Sequence, residues 1–209
     1  MSAKKSVKNS RADNKERAVG TVVVSDGVKS IKVDEFADCD KLEKVILPEG
    51  LISIDDAYYD ENEDGELEKI HGAFVGCTSL KEVQFPESLT KIGSCAFGGC
   101  KALKKIVLPE NLAEIGENAF NGCESLKEIN LPAGLTSIGK GAFFGCYALK
   151  EIKLPDRLTK LDGWTFNSCT NLKEVKLPDA LTSIGQGEFE DCTALKKITL
   201  PKGLTEINE

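Results

Sequence analysis

Apolar residues return along this chain with one fixed step. Phe74, Phe97, Phe120, Phe143, Phe166 and Phe189 lie 23 residues apart, as do Cys77, Cys100, Cys123, Cys146, Cys169 and Cys192. A fixed period in this range signals stacked copies of one small unit. In the unit Leu126–Leu149, Ile129 and Leu131 alternate with Glu128 and Asn130, which predicts a short strand with the first pair inward and the second outward. Pro132 cannot donate to a ladder and ends the strand. Leu135 and Ile138 turn inward as the chain comes back, and Gly139 permits a tight bend. Ala142, Phe143 and Cys146 follow at helical spacing and predict one short helical turn that buries one face.

A single such coil cannot bury its own apolar edges, but a stack of them can. The predicted fold is therefore an α/β repeat solenoid of 23-residue coils, with short parallel strands on one face and helical turns on the other. Eight strands are expected, at 22–24, 45–47, 83–85, 106–108, 129–131, 152–154, 175–177 and 198–200. The periodic cysteines, joined by Cys39, should form a row of buried thiols, since free cysteine packs as a small apolar residue. Cys95 is off that row and is expected to be exposed and reactive.

Charge adds two segments that the repeat does not explain. The chain carries a net −7. Residues 2–18 hold six basic and two acidic side chains, whereas residues 55–69 hold eight acidic and one basic. The organisation predicted is a basic disordered tail at 1–18 and a solenoid at 19–209 with an acidic insertion at 55–69. The acidic balance argues against nucleic acid as a partner. No apolar run is long enough to span a membrane, and the basic N-terminus has no apolar core of a secretion signal, so a cytoplasmic location is expected as written. A single histidine, His71, leaves no support for a catalytic triad, and an enzyme is not expected.

The pattern LPxxLTxIGxxAFxGCxxLKxIxLP closely resembles the BspA-like branch of the leucine-rich repeat family, over residues 19–209. The resemblance implies a curved solenoid of leucine-rich-repeat type. It also implies a secreted or cell-surface setting, and adhesion through binding of host or matrix proteins.

The insertion resembles an EF-hand calcium loop across residues 60–71, DENEDGELEKIH. Asp60, Asn62, Asp64, Glu66 and Glu68 would supply hard oxygens around Ca²⁺, and Gly65 would fold the loop around the ion. His71 stands where that motif places a bidentate glutamate. Asp55, Asp56 or Glu61 would then have to fold back as ligands. The plainer reading is a solvated acidic loop.

Outward strand positions offer the other candidate site. Lys105, Glu128, Asn130, Glu151, Lys153, Glu174 and Lys176 line the strand face, and Trp164 stands apart beside the phenylalanine turn, where it either anchors a partner as an exposed ring or packs across the outer turn. A Lys/Glu face also keeps a solenoid soluble without binding anything. Two functions follow from different classes. One is a non-catalytic, protein-binding module. The other is a structural spacer that associates end to end through its last coil, from a chain otherwise expected to be monomeric.

Overall fold

The computed structural model describes residues 5–7, 18–61 and 67–208, with side chains for 18–60 and 69–208. The chain enters through β1 (Lys5–Val7), β2 (Gly20–Val24), β3 (Ser30–Ile31), β4 (Leu42–Ile46) and β5 (Ser53–Ile54). An antiparallel pair follows, β6 (Tyr58–Glu61) and β7 (Leu67–His71). Each later coil then supplies a three-residue strand and a two-residue strand. These are β8 (Glu82–Gln84) and β9 (Lys91–Ile92), β10 (Lys105–Val107) and β11 (Glu114–Ile115), and β12 (Glu128–Asn130) and β13 (Ser137–Ile138). The series continues with β14 (Glu151–Lys153) and β15 (Lys160–Leu161), β16 (Glu174–Lys176) and β17 (Ser183–Ile184), and ends at β18 (Glu206–Ile207).

Pairing between coils is parallel, and it is in register apart from a shift at Gly20/Thr21 between β2 and β4. Ile106 lies beside Ile129, and Ile152 beside Val175, each buried between two exposed neighbours. A second ladder runs through the two-residue strands, where Ile92, Ile115 and Ile138 align. The apolar pattern predicts an inward turn there but not the ladder. The segment at 198–200 does not join the sheet: no backbone hydrogen bond links it to β16 among the described residues.

The core is a set of columns. Phe36, Phe74, Phe97, Phe120, Phe143, Phe166 and Phe189 stack with centroids 5.0–5.7 Å apart and rings within 5° of parallel. Phe36 and Phe74 stack at 5.0 Å although 38 residues separate them, so the acidic insertion is looped out without disturbing the stack. All eight cysteines are free and buried. From Cys77 onward each thiol in the row donates to a phenylalanine carbonyl of the preceding coil, as Cys100 does to Phe74 at 3.3 Å and Cys146 to Phe120 at 3.4 Å. Burial pushes the thiols of Cys100, Cys123 and Cys146 well above their ordinary range, so they pack and do not react. Glycine is required at 93, 116, 139 and 185, because a Cβ there would come within 2.2–2.5 Å of the preceding coil's backbone.

The expected helical turns do not form; no helix is present among the described residues. The Gly139–Cys146 segment shows why. Ala142, Phe144 and Cys146 donate three residues back, to Gly139, Gly141 and Phe143. The intervening Gly141, Phe143 and Gly145 donate to Gly163, Thr165 and Asn167 of the next coil. Alternate amides are thus taken by the stack, and the i to i−4 series of a helix has no donors left.

One column changes character. Ala73, Ala96, Ala119 and Ala142 are succeeded by Thr165 and Glu188, both buried. Glu188 Oε2 accepts the Gly163 N–H at 3.1 Å. Burial pushes its carboxyl up to about 7, against the lowering effect of hydrogen bonds from Thr165 and Gly163.

Candidate functional site

The strand face is built from outward positions separated by buried ones, so each column of side chains repeats at the strand spacing of about 4.8 Å. One column reads Lys44, Glu82, Lys105, Glu128, Glu151, Glu174. Its first four members alternate in sign, and Lys44 reaches Glu82 at 2.7 Å while Lys105 reaches Glu128 at 3.5 Å. Beside it, Lys81 and Glu43 pair at 2.9 Å. From Glu128 onward the alternation stops. Glu151 lies directly beside Glu174, and Lys153 directly beside Lys176. Among the described residues no ion pair within 4 Å reaches any of these four.

Five of the predicted partner-binding residues, Asn130, Glu151, Lys153, Glu174 and Lys176, line one shallow depression of about 350 Å³. Lys105 and Glu128 lie on the adjoining strands as a pair. The structure does not bring Trp164 to this face. It stands on the turn side of its coil, and it is half-buried, not exposed. Lys140 Nζ lies 4.2 Å over its ring, and Gly187 of the next coil lies against its indole.

The acidic insertion forms the β6–β7 hairpin, with Tyr58 opposite His71 and Asp60 opposite Lys69. Its root is tied to the solenoid. Asp55 pairs with Lys32 at 3.1 Å and accepts from Ser30, while Asp56 pairs with Lys91 at 2.7 Å and caps the Ser94 amide at 3.0 Å. Neither aspartate folds back toward the loop. His71, only 4% exposed, is bracketed by two carboxylates: Nδ1 lies 2.6 Å from Asp34 and Nε2 lies 2.7 Å from Asp60. The Tyr58 ring stacks on the imidazole at 4.2 Å. The hydrogen bond to Asp34, helped by the one to Asp60, raises the histidine's affinity for its proton. Both ring nitrogens are engaged on opposite edges, so His71 is a clamp between Asp34 of the solenoid and Asp60 of the hairpin.

Of the five predicted calcium ligands, only Asp60 has a described side chain, and one of its oxygens is on His71. Asn62, Asp64 and Glu66, and the side chain of Glu68, lie outside the described residues. Among the described residues no three His, Cys, Asp or Glu side chains are grouped to hold a metal ion. Cys95 is buried, contrary to the expectation of an exposed thiol, because the hairpin covers it: Tyr59 Oη lies 3.3 Å from its Sγ. Burial raises the thiol's pKa and makes it a poor nucleophile.

Asp34 escaped the sequence reading, yet a signal was there. It occupies the column of Gly72, Cys95, Asn118, Gly141, Trp164 and Gly187, where backbone φ is positive at every member but Gly72. Asp34 is the one acid in that column, an irregularity visible in the sequence.

The BspA type leucine rich repeat region matches the chain in six copies, over residues 14–71, 64–169 and 117–209. A leucine rich repeat protein of T. pallidum is 32% identical over 85% of this chain and 78% of that one, with a TM-score of 0.72. A leucine-rich repeat protein from Bacteroides ovatus is also 32% identical, over 86% of this chain and 48% of that one, with a TM-score of 0.61. The pneumococcal vaccine antigen PcpA, 19% identical over 90% of this chain and 58% of that one, shares the fold at a TM-score of 0.54. No curated protein matches the chain. Among the described residues no helix is long and apolar enough to cross a membrane. Six tandem matches, the 23-residue coil and the in-register parallel stack together place this chain in the BspA-type leucine-rich repeat family.

Proposed function

We propose that this chain is a non-catalytic protein-binding module, adhesion-like and displayed outside the cell, whose contact surface is the strand face around β12, β14 and β16. One observation carries the reading. The charge column is self-neutralising up to β10 and turns to like-charge ladders at Glu128–Glu151–Glu174 and Lys153–Lys176. Like charges directly opposite on neighbouring strands are destabilising. Solubility alone does not require the grouping, since the first column carries the same charge per coil at Lys44, Glu82 and Lys105 while alternating in sign. A partner with rows of opposite sign would neutralise both ladders, which favours a specific register and fast encounter.

The test is surface plasmon resonance against a panel of immobilised host matrix proteins. Wild type should bind at least one. Lys153→Glu/Lys176→Glu should lose that binding, and Lys81→Glu should keep it. Binding that survives the double variant, or none to any matrix protein, would remove the named surface.

The acidic hairpin adds a second part to this proposal. Ca²⁺ held by Asp60, Asn62, Asp64, Glu66 and Glu68 would stiffen it, and Asp60 retains one oxygen beyond the His71 contact for that purpose. Calorimetry of chelator-treated protein should then show saturable heat that Asp60→Ala/Asp64→Ala abolishes. Absence of heat at millimolar calcium would leave a solvated acidic loop.

The assembly reading draws on a different observation. The 198–200 segment is unpaired with β16, and Leu200 and Ile207 are 48% and 58% exposed. If stacking through this coil operates, sedimentation should show concentration-dependent dimers that Leu200→Lys/Ile207→Lys removes.

A further inference from the structure

Among the described residues seven non-glycines have positive φ, and all seven fall in two columns of the turn side. The first column holds Asp34, Cys95, Asn118 and Trp164. The second holds Asp38, Ser168 and Asp191, where other coils have Gly76, Gly99, Gly122 and Gly145. Glycine adopts this conformation without penalty, whereas a bulky side chain such as tryptophan does so at a cost of order 1 kcal/mol or more. Four of the seven, Asn118, Trp164, Ser168 and Asp191, line a single open groove of about 490 Å³. Strain is thus concentrated where it places an aromatic, an amide, a hydroxyl and a carboxylate around one space.

The stack makes room for these side chains. Asn118 lies over Gly141, and Trp164 lies over Gly187, where any Cβ would come within 2.4–2.5 Å of them. The polar groups are held in place by one another. Asn121 donates to Asn118 at 3.1 Å, Asn167 donates to Glu190 at 2.8 Å, and Ser168 donates to Asn167 at 2.7 Å. Such mutual support pre-organises a site. Phe144, 36% exposed, adds a second aromatic ring to the wall.

We propose that this groove is a binding site for a neutral saccharide. Glu117, Glu190 and Asp191 outnumber Lys140 along it, which disfavours phosphate, sulfated sugars and nucleic acid. Two aromatic rings among polar neighbours offer too little apolar area for a lipid. A cationic side chain is disfavoured as well, because the cation position over Trp164 is already filled by Lys140. A pyranose matches what remains. Its C–H face packs on the exposed Phe144 ring beside the Lys140-covered Trp164, and its hydroxyls each donate and accept, as do amide side chains and serine.

Trp164 is the only tryptophan in the chain, so its fluorescence reports on this groove alone. Cellobiose, maltose and chitobiose would be titrated separately, with side-chain amide NMR shifts recorded in parallel. At least one should give saturable changes, with half-saturation at about 1 mM or below. Trp164→Gly and Ser168→Gly restore the glycines of the other coils, so both variants should stay folded, and NMR should show binding weakened about tenfold or more. Tetralysine and a sulfated disaccharide should not saturate. The proposal fails if none of the three sugars shifts any amide. It also fails if binding survives unchanged in both glycine variants, or if tetralysine saturates the site and the sugars do not.

Discussion

The two halves of the strand face share one backbone and differ in how they handle charge. Over β4, β8 and β10 the charged column alternates, with Lys44–Glu82 and Lys105–Glu128 paired across coils. Over β12, β14 and β16 the same column repeats its sign, and the neighbouring column does likewise with Lys153 and Lys176. The buried side chains beneath do not register the change: Ile106, Ile129, Ile152 and Val175 are all within 5% of full burial. A solenoid separates scaffold from surface in this way because inward residues alone set the stack, leaving outward residues open to other demands.

If the scaffold is uniform, the largest effects should be blind to the difference between halves. Phe97→Ala and Phe166→Ala each remove a ring stacked on both sides and should each cost about 3–5 kcal/mol. Urea denaturation checks this, and a gap of more than about 2 kcal/mol between them would show that the halves are not equivalent beneath the surface.

Next in size is Glu188, which has no counterpart among the alanines of the earlier coils. Its folded-state carboxyl holds its proton up to about pH 7, whereas the unfolded chain releases it near 4.5. The native state therefore binds more protons across that interval. Stability from this group is fully present below about pH 4.5, declines as pH rises, and is lost above about 7, a change of about 3 kcal/mol for a shift of this size. Glu188→Gln should flatten the slope relative to wild type between pH 5 and 7. Equal slopes would mean that the carboxyl is already hydrated.

The smallest effects should separate the halves by sign. Glu151→Lys restores alternation between Glu128 and Glu174 and should stabilise by about 0.5 kcal/mol at low salt. Lys44→Glu breaks alternation beside Glu82 and should destabilise by a similar amount, about 0.5 kcal/mol. Thermal melts of both variants against wild type decide the point.

Much of this was legible in the sequence, and the failures share a cause. The 23-residue step located the Phe and Cys columns, and strict alternation placed Glu151, Lys153, Glu174 and Lys176 outward. The helical turn was misread because Ala142, Phe143 and Cys146 bury the same face in a helix or in a turn bonded to the next coil. Only the destination of the Phe143 and Gly145 amides tells them apart, and periodicity does not contain it. The hairpin was hidden for a related reason. The Tyr58–Glu61 pairing with Leu67–His71 is antiparallel and occurs once, outside the repeat. The two carboxylate partners of His71 come from 37 and 11 residues away, a pairing that only the hairpin and the stack bring together. Cys95 was assigned to the surface because no repeat position covers it; Tyr59 of the hairpin does.

If the like-charge ladders are retained for a partner, they must cost the free fold something. The most direct measurement is the urea midpoint of wild type and Glu151→Lys at low ionic strength and at about 1 M salt, where screening shortens to about 3 Å. Glu151→Lys should be the more stable protein at low salt, and the two midpoints should converge at high salt. A variant less stable than wild type at low salt, or a difference indifferent to salt, would contradict that cost.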